Sequence, residues 1–176
     1  MNIETSRLTL KNYTDIDFEH YWQLKSTDKV WKYSTFTPYE NKHEASDNFN
    51  KLLDSLKDNP YQFAALWTKE DSRFIGEAGI LSLNQRTNKC VIGYNLLPDF
   101  WNFGFSTEIT KALVSYAFEE LGVERIEALA MSLNLASCRV LEKSRFTLEG
   151  TLRHFTRIND EYFDVCYYSI ISSDFF

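Results

Sequence analysis

Apolar and polar residues alternate along the chain with helical and strand periods, and these periods predict a mixture of both kinds of element. The clearest helical pattern follows a turn that contains Gly104, where apolar residues recur at i, i+3 and i+4 spacing. This stripe consists of Ile109, Ala112, Leu113, Tyr116, Ala117 and Leu121. A strand over Cys90–Leu97 leads into the turn, and Gly122 is placed to cap the end of the helix.

The remaining segments predict further strands and helices. The predicted strands are Thr5–Lys11 (an edge strand), Tyr61–Thr68, Arg73–Leu83, Glu124–Met131, Phe146–Thr156 and Glu161–Ile171, the last two joined by a hairpin turn at Asn159-Asp160. The predicted helices run from a cap at Asp15 to about Leu24, over Glu44–Leu56 and over Asn134–Ser144. Strands and helices in this order predict an α+β protein of α/β type, with helices on the faces of a mixed sheet.

The start of the helix after Gly104 has the features of an anion site. The first N–H groups of a helix have no partner within it, and they carry the positive end of its dipole. A phosphate or pyrophosphate is the usual ligand at such a position. Gly104 allows the backbone to approach a ligand closely, although a glycine that only makes a turn explains the same residue.

Composition and charge narrow the function classes. The chain has 176 residues, which suits a single domain over 1–176. The formal charge of −6 argues against nucleic acid as the main partner. No apolar run approaches the ~18 residues of a membrane span, and the first residues lack a signal-peptide pattern, so we expect a cytoplasmic protein without a membrane partner. Three scattered cysteines and three scattered histidines predict neither a disulfide framework nor a metal site.

Two long segments resemble a known family. The run I-G-Y-N-L-L-P-D-F-W-N-F-G-F-S-T-E (Ile92–Glu108) resembles the acyl-CoA signature of the GNAT N-acetyltransferases, and so does Arg125–Arg153, which contains N-L-A-S-C-R-V-L-E-K. The runs T-S-R-L-T-L (Thr5–Leu10) and I-G-E-A-G-I-L-S-L (Ile75–Leu83) are most similar to the RimJ/RimL-like branch, which acetylates the N-termini of ribosomal proteins.

The resemblance implies a twisted, mostly antiparallel sheet whose middle strands splay apart to hold acetyl-CoA. It assigns pantetheine to the strand backbone near Asn95–Leu97, pyrophosphate to the loop and helix start, and further contacts to Asn134 and Ser137. The implied cofactor-binding residues are Asn95, Leu96, Leu97, Asn102, Phe103, Gly104, Phe105, Ser106, Thr107, Asn134 and Ser137. Asn134 also suits a helix N-cap, and Ser137 a first-turn hydroxyl.

Four residues depart from the family pattern. Asn102 replaces a glycine of the loop, but asparagine tolerates left-handed backbone better than most residues do. Phe103 replaces a lysine, arginine or small polar residue, so one phosphate-facing charge is lost. Arg145 replaces a helix-ending glycine, so either a left-handed arginine costs about 1 kcal/mol there or the turn is rebuilt. Val91 replaces the glutamate that precedes Ile-Gly-Tyr in many relatives.

A protonated amine must lose its proton before it can attack a thioester, so the reaction needs a general base or a water relay. Val91 cannot supply that base, and the identity of the base is left open. The remaining candidates are Glu77, Glu127, Asp164 and His154, and we expect Glu77 to be the base unless an ordered water takes that role. Ser137 or a tyrosine is expected to protonate the departing thiolate.

The expected reaction is direct acetyl transfer to an amine acceptor, with a peptide N-terminus favoured. The alternatives are a small amine (a polyamine, amino sugar or antibiotic) and a CoA-binding module without catalysis. The mixed segment Lys25–Asn41 predicts a short helix plus a loop. Its aromatic residues belong either to a satellite core or to the wall of an acceptor pocket; they are Trp31, Tyr33, Phe36 and Tyr39. Dimers are common in the family, so the resemblance also implies a possible homodimer.

Overall fold

An eight-stranded sheet forms the centre of the computed structural model, which describes residues 1–176. The strand order is β1-β2-β3-β4-β5-β6-β8-β7, and only the β5–β6 pair is parallel. The strands are β1 (Asn2–Glu4), β2 (Leu8–Lys11), β3 (Ala64–Thr68), β4 (Phe74–Asn84), β5 (Lys89–Leu96), β6 (Arg125–Met131), β7 (Thr147–Ile158) and β8 (Glu161–Ile171). The mixed, mostly antiparallel sheet predicted from the sequence is therefore confirmed.

Six helices accompany the sheet. They are α1 (Phe18–Lys25), α2 (Asp28–Trp31), α3 (Lys42–Asp58), α4 (Phe105–Glu119), α5 (Leu135–Lys143) and α6 (Ser172–Phe175). Helices α1, α3, α4 and α5 were predicted, and α2 is the short helix expected within Lys25–Asn41, whereas α6, at four residues, is too short for a periodic pattern to identify. None of the helices combines the length and apolar character needed to cross a membrane.

The N-terminal region corrects two predictions. Thr5–Lys11 is not an edge strand, because β1 forms the edge and β2 lies between β1 and β3. Thr5, Ser6 and Arg7 leave the strand to bind Glu108. Nor does Asp15 cap the first helix: Thr14 precedes a short 3₁₀ turn over Asp15–Asp17, and the carboxylate of Asp17 accepts from the N–H and hydroxyl of Thr14 at 2.8 and 2.7 Å.

Helices cover both faces of the sheet, as adjacent residues of β5 make clear. The side chains of neighbouring strand residues point to opposite faces. Asn95 reaches Glu77, which pairs with Lys25 of α1, whereas Tyr94 reaches Ser137 of α5. Helix α1 therefore lies on one face, which we call the α1 face, and α5 lies on the other, which we call the α5 face. A hydrophobic core of 34 buried residues joins the layers.

The C-terminal hairpin forms as predicted. Strands β7 and β8 meet at Asn159 and Asp160, whose φ values of 47° and 68° are left-handed at both central positions. This is the turn geometry that matches the twist of antiparallel strands. Strand β7 forms the second edge of the sheet, and most of its side chains are exposed.

Candidate functional site

Strands β5 and β6 part within the sheet and leave a gap. Their parallel pairing extends only over Lys89–Val91 and Arg125–Glu127, after which β5 continues to Leu96 and β6 to Met131 without partners on the facing sides. The splay implied by the family resemblance is thus present. One edge of β5 remains open to a ligand that can pair with strand backbone.

The register of β4 and β5 decides which peptide groups face this gap. Leu97 donates its N–H to the carbonyl of Ile75 at 2.9 Å, and a Cβ on Gly76 would lie 2.1 Å from the carbonyl oxygen of Asn95. Because hydrogen-bonding directions alternate along an antiparallel strand, Asn95 and Leu97 turn towards β4, while Tyr94 and Leu96 turn towards the gap. Of the predicted segment Asn95–Leu97, only Leu96 presents its peptide groups, and its carbonyl accepts from the Trp101 indole N–H at 2.8 Å.

Unpaired amides mark the start of α4, as predicted. Gly104 is the N-cap residue with a left-handed φ of 81°, and no side chain caps the helix. The first bond of the helix runs from the Glu108 N–H to the Gly104 carbonyl at 3.0 Å, so the N–H groups of Phe105, Ser106 and Thr107 have no acceptor within the helix. Asn102 also adopts a left-handed φ, 67°, as the sequence predicted.

Phe103 does not fill this loop. Its side chain is 61% exposed and stacks on Phe105 with ring centroids 5.9 Å apart. The guanidinium of Arg7 lies 4.6 Å from the centroid of Phe105 and donates to the Phe103 carbonyl at 3.1 Å. Arg7 therefore lies beside the loop with its charge balanced by Glu108 at 2.7 Å, a contact that sequence spacing does not reveal.

Glu108 ties this loop to the N-terminal segment. Its carboxylate accepts from the Thr5 hydroxyl at 2.6 Å, the Ser6 hydroxyl at 3.0 Å, and the Arg7 backbone N–H at 2.9 Å and Nε at 2.7 Å. Burial raises the pKa of Glu108, but the hydrogen bonds from Thr5, Arg7 and Ser6 outweigh that effect and leave the pKa below its ordinary value. The run T-S-R thus anchors the first turn of α4.

Asn134, Ser137 and Tyr94 meet on the α5 face of the gap. Asn134 is the N-cap of α5, where its side-chain oxygen accepts from the Ser137 N–H at 3.2 Å. The Tyr94 hydroxyl donates to the Ser137 hydroxyl at 3.3 Å. Burial raises the pKa of Tyr94 to about 12, so the phenol is protonated at neutral pH. The structure therefore adds Tyr94 to the predicted pair, on the strand that borders the gap.

Glu77 is enclosed on the α1 face. Its side chain is 1% exposed, and one carboxylate oxygen accepts from Lys25 Nζ at 2.7 Å and from Asn95 Nδ2 at 2.8 Å. The Tyr13 hydroxyl lies 3.4 Å from the other oxygen. This geometry gives Glu77 no open path to an acceptor amine, so its predicted role as the base depends on a rearrangement that frees it from Lys25.

Two of the other candidate bases, Glu127 and Asp164, also have partners, whereas the imidazole of His154 stacks on Tyr162 with ring centroids 5.4 Å apart. Glu127 binds Lys89 Nζ at 3.0 Å and Arg125 Nε at 2.8 Å; burial raises its pKa, but these hydrogen bonds produce a net lowering. Asp164 accepts from the backbone N–H of His154 at 2.8 Å, in the irregular part of the β7–β8 hairpin. Glu77 and these two carboxylates each already accept hydrogen bonds from protein groups, and those donors compete with an acceptor amine.

The aromatic segment after α1 packs inward. Trp31 is buried, and Phe36 and Tyr39 pack against the core, with the Trp31 and Phe36 ring centroids 4.3 Å apart. The rings surround the ammonium of Lys25 at centroid distances of 4.5 Å for Trp31 and 5.0 Å for Phe36. The arrangement agrees with the satellite-core alternative for these three residues.

A cavity of about 670 Å³ lies beside the point where β5 and β6 part. Val91 and Glu127, which are paired in register, contribute to its wall. Its other sides come from two surface segments, Asp58–Tyr61 and Ser82–Gln85, together with Lys89 and Cys90. An amine in this cavity would approach the gap at the position where many family members carry the glutamate that Val91 replaces.

Comparison with known proteins identifies the family. The sequence profile of the acetyltransferase (GNAT) domain matches residues 7–147. An uncharacterised N-acetyltransferase of Bacillus subtilis, YoaA, is 31% identical over 169 residues, which cover 96% of each chain.

Two solved structures are similar in fold. A spermidine N-acetyltransferase from Vibrio cholerae, in complex with CoA and spermine, has a TM-score of 0.85 at 22% identity and covers 97% of this chain and 99% of its own. RimL, a ribosomal L7/L12 α-N-protein acetyltransferase in complex with coenzyme A, has a TM-score of 0.85 at 21% identity, with coverage of 97% and 98%. The sequence match, together with this shared architecture, places the chain in the GNAT family of acetyl-CoA-dependent N-acetyltransferases.

Proposed function

We propose that this enzyme transfers acetyl from acetyl-CoA to the N-terminal amine of a peptide or protein. The observation that carries the proposal is the open start of α4 at one end of the gap between β5 and β6. The unpaired amides of Phe105, Ser106 and Thr107 suit a diphosphate, and the free edge of β5 suits the amide groups of pantetheine. In this proposal Asn134 contacts the pantetheine arm from the opposite wall.

The thioester then lies between the cavity beside Val91 and the Tyr94–Ser137 pair. The acceptor nitrogen attacks the thioester carbonyl from the cavity, and backbone N–H groups of β5 that face the gap stabilise the developing oxyanion. The Tyr94 hydroxyl, which already donates to Ser137, turns its hydrogen bond to the departing thiolate. Cys138 takes no part, because it is buried in the core between α5 and the sheet.

The amine proton leaves through water in the cavity. Glu77 is held by Lys25, and Glu127 is held by Lys89 and Arg125, so a direct transfer to either carboxylate requires breaking an ion pair. A water relay needs no such step. Glu127 lines the cavity beside this water, and its charge is balanced by Lys89 and Arg125.

The shape of the acceptor side favours a peptide. Two of the four aromatic residues that a closed pocket for a small amine would use, Trp31 and Phe36, pack around Lys25, and none of the four lines the cavity beside Val91. Two surface segments form much of the cavity wall, which leaves room for an extended chain. A small polyamine remains the second candidate, because the carboxylates of Asp58 and Glu127 line the same cavity.

An acceptor panel separates the two candidates. Release of free thiol from acetyl-CoA is measured with peptides that carry free N-termini, with the same peptides blocked at the N-terminus, and with spermidine, an amino sugar and an aminoglycoside. The proposal predicts turnover with free peptides and none with their blocked counterparts. Turnover with spermidine alone would support the small-amine candidate, and failure with every amine would contradict both.

A further inference from the structure

Lys25 provides a buried ammonium that the proposed reaction does not use. Its side chain is 10% exposed, and Nζ lies 2.7 Å from an oxygen of Glu77. Four aromatic rings surround this group, with centroids 4.5 Å away for Trp31, 5.0 Å for Phe36, 5.5 Å for Tyr21 and 5.6 Å for Phe63. Each ring face attracts a cation, so the ammonium is fixed from several sides.

The contacts of Lys25 continue to the strand that borders the gap. The Glu77 oxygen that binds Lys25 also accepts from Asn95 Nδ2 at 2.8 Å. Asn95 stands between Tyr94 and Leu96, the two residues whose peptide groups turn to the gap. A chain of two hydrogen bonds thus leads from α1 through β4 to the exposed part of β5.

This part of β5 needs such support. Beyond Val91 the strand pairs with β4 alone, because β6 has diverged. A strand with one partner has fewer contacts to fix its twist than a strand in the interior of a sheet. The Asn95 side chain holds the middle of this segment on the α1 face, while the Trp101 indole holds the Leu96 carbonyl.

We infer that Lys25 is a positioning residue for acetyl-CoA binding, acting through Glu77 and Asn95. Lys25 fixes the carboxylate of Glu77, which fixes the amide of Asn95, which in turn orients the peptide groups of Tyr94 and Leu96. The inference rests on the proposed function, because it assumes that β5 binds the pantetheine arm. A buried ion pair contributes little to stability. The hydrogen bond from Asn95 to Glu77 is therefore a better explanation for the buried Lys25–Glu77 pair than stability is.

Two variants test the chain of contacts at its two ends. Asn95→Leu removes the amide but leaves the Lys25–Glu77 pair in place, so we expect the fold to be retained. Lys25→Met removes the ammonium and leaves Glu77 without its cation. Lys42→Met is the matched control, since its ion pair with Glu19 is exposed on both sides, at 52% and 67%.

Hydrogen exchange and calorimetry supply two independent measurements. Amide exchange of the segment 93–97, followed by mass spectrometry in the protein without CoA, reports the order of the strand. We expect the exchange rate of this segment to rise in Asn95→Leu and in Lys25→Met and to stay unchanged in Lys42→Met. Calorimetric titration with CoA is expected to give an affinity about tenfold weaker in each of the two network variants, within the range of coupling through packed networks.

The double variant distinguishes positioning from general stability. If both residues act through one chain, Lys25→Met with Asn95→Leu binds CoA no more than about twofold worse than the weaker single variant. Unchanged exchange in Asn95→Leu, unchanged CoA affinity in that variant, or fully additive losses in the double variant would each overturn the inference. Absence of CoA binding by the wild-type protein would refute the proposed function, while the exchange data would still decide whether Lys25 orders β5.

Discussion

Replacing Tyr94 by phenylalanine removes the hydrogen-bond donor proposed for the departing thiolate. A positioned acid contributes about 10²–10⁴-fold to a rate. The pKa of Tyr94, about 12, lies above the ~8.5 of an ordinary thiol, so complete proton transfer to the thiolate is unfavourable. The phenol acts mainly by hydrogen bonding to charge as it develops, and we therefore expect the low end, a fall of about 10²-fold in kcat.

The same substitution should leave binding and folding nearly intact. The Tyr94–Ser137 hydrogen bond is 3.3 Å long, so its loss costs at most about 1 kcal/mol of unfolding free energy. The KM for acetyl-CoA should change little, because the phenyl ring keeps its packing. Tyr116→Phe is the matched control, since Tyr116 is a half-buried tyrosine of α4 with a raised pKa and no part in the proposed step.

Steady-state rates with two acyl donors complete the test. Acetyl-CoA is compared with an acetyl thioester of a more acidic thiol, which leaves without help from an acid. The deficit of Tyr94→Phe should shrink with the second donor. A kcat within about threefold of wild type on acetyl-CoA, well below the ~10²-fold that a general acid contributes, would refute the assignment, and so would an equal deficit with both donors.

Three further predictions concern the cofactor side. Glu108→Gln should lower the unfolding free energy by about 2 kcal/mol at neutral pH, as expected for hydrogen bonds to a charged group. Because the folded-state pKa of Glu108 is below 4.5, this stabilisation is complete above pH 4.5 and disappears as the pH falls through the lowered pKa. The unfolding temperatures of the wild type and the variant should therefore converge in acid. A difference that stays constant with pH would contradict this prediction. Phe103→Lys should strengthen CoA binding about threefold at low salt, with the gain lost at high salt; a gain that ignores salt would not be electrostatic. Asn134→Trp should abolish CoA binding in calorimetry, whereas Asn134→Ala should mainly cost about 1 kcal/mol through the lost cap; unchanged affinity in the tryptophan variant would argue against Asn134 as a contact.

The sequence predicts those parts of the fold that depend on local pattern. The periodic stripe of α4, the left-handed residues Asn102 and Arg145, and the turn at Asn159 all express preferences of a few neighbouring residues, and all appear in the structure. Arg145 adopts a φ of 67° although it is not glycine, so the strain of about 1 kcal/mol is accepted rather than removed by rebuilding the turn.

The sequence fails where distant residues decide the outcome. Glu77 stays a predicted base, but no local pattern shows that it pairs with Lys25, 52 positions earlier. Thr5–Arg7 continue the alternation of a strand, yet they turn away to bind Glu108, about 100 positions later. Strand β1, with three residues, is too short to show a period at all.

Some residues of the candidate site can be predicted from local sequence, and others become visible only through contacts between distant parts of the chain. The helix start, Gly104, Asn134 and Ser137 are identified by motif and local spacing. Tyr94 is recognised only when β5 is placed against α5, because its hydroxyl meets Ser137 from a residue 43 positions away. The cavity beside Val91 likewise depends on the register of β5 with β6, which no local pattern specifies.

In the proposed complex, the first amides of α4 hold the diphosphate of CoA. Amide chemical shifts of Phe105, Ser106 and Thr107, measured by NMR during titration, test this contact directly. Addition of CoA should move these three signals strongly, and addition of pantetheine, which lacks the diphosphate, should leave them in place while it perturbs Tyr94 and Leu96. If CoA binds and the signals of residues 105–107 do not move, the diphosphate lies elsewhere and the account is wrong.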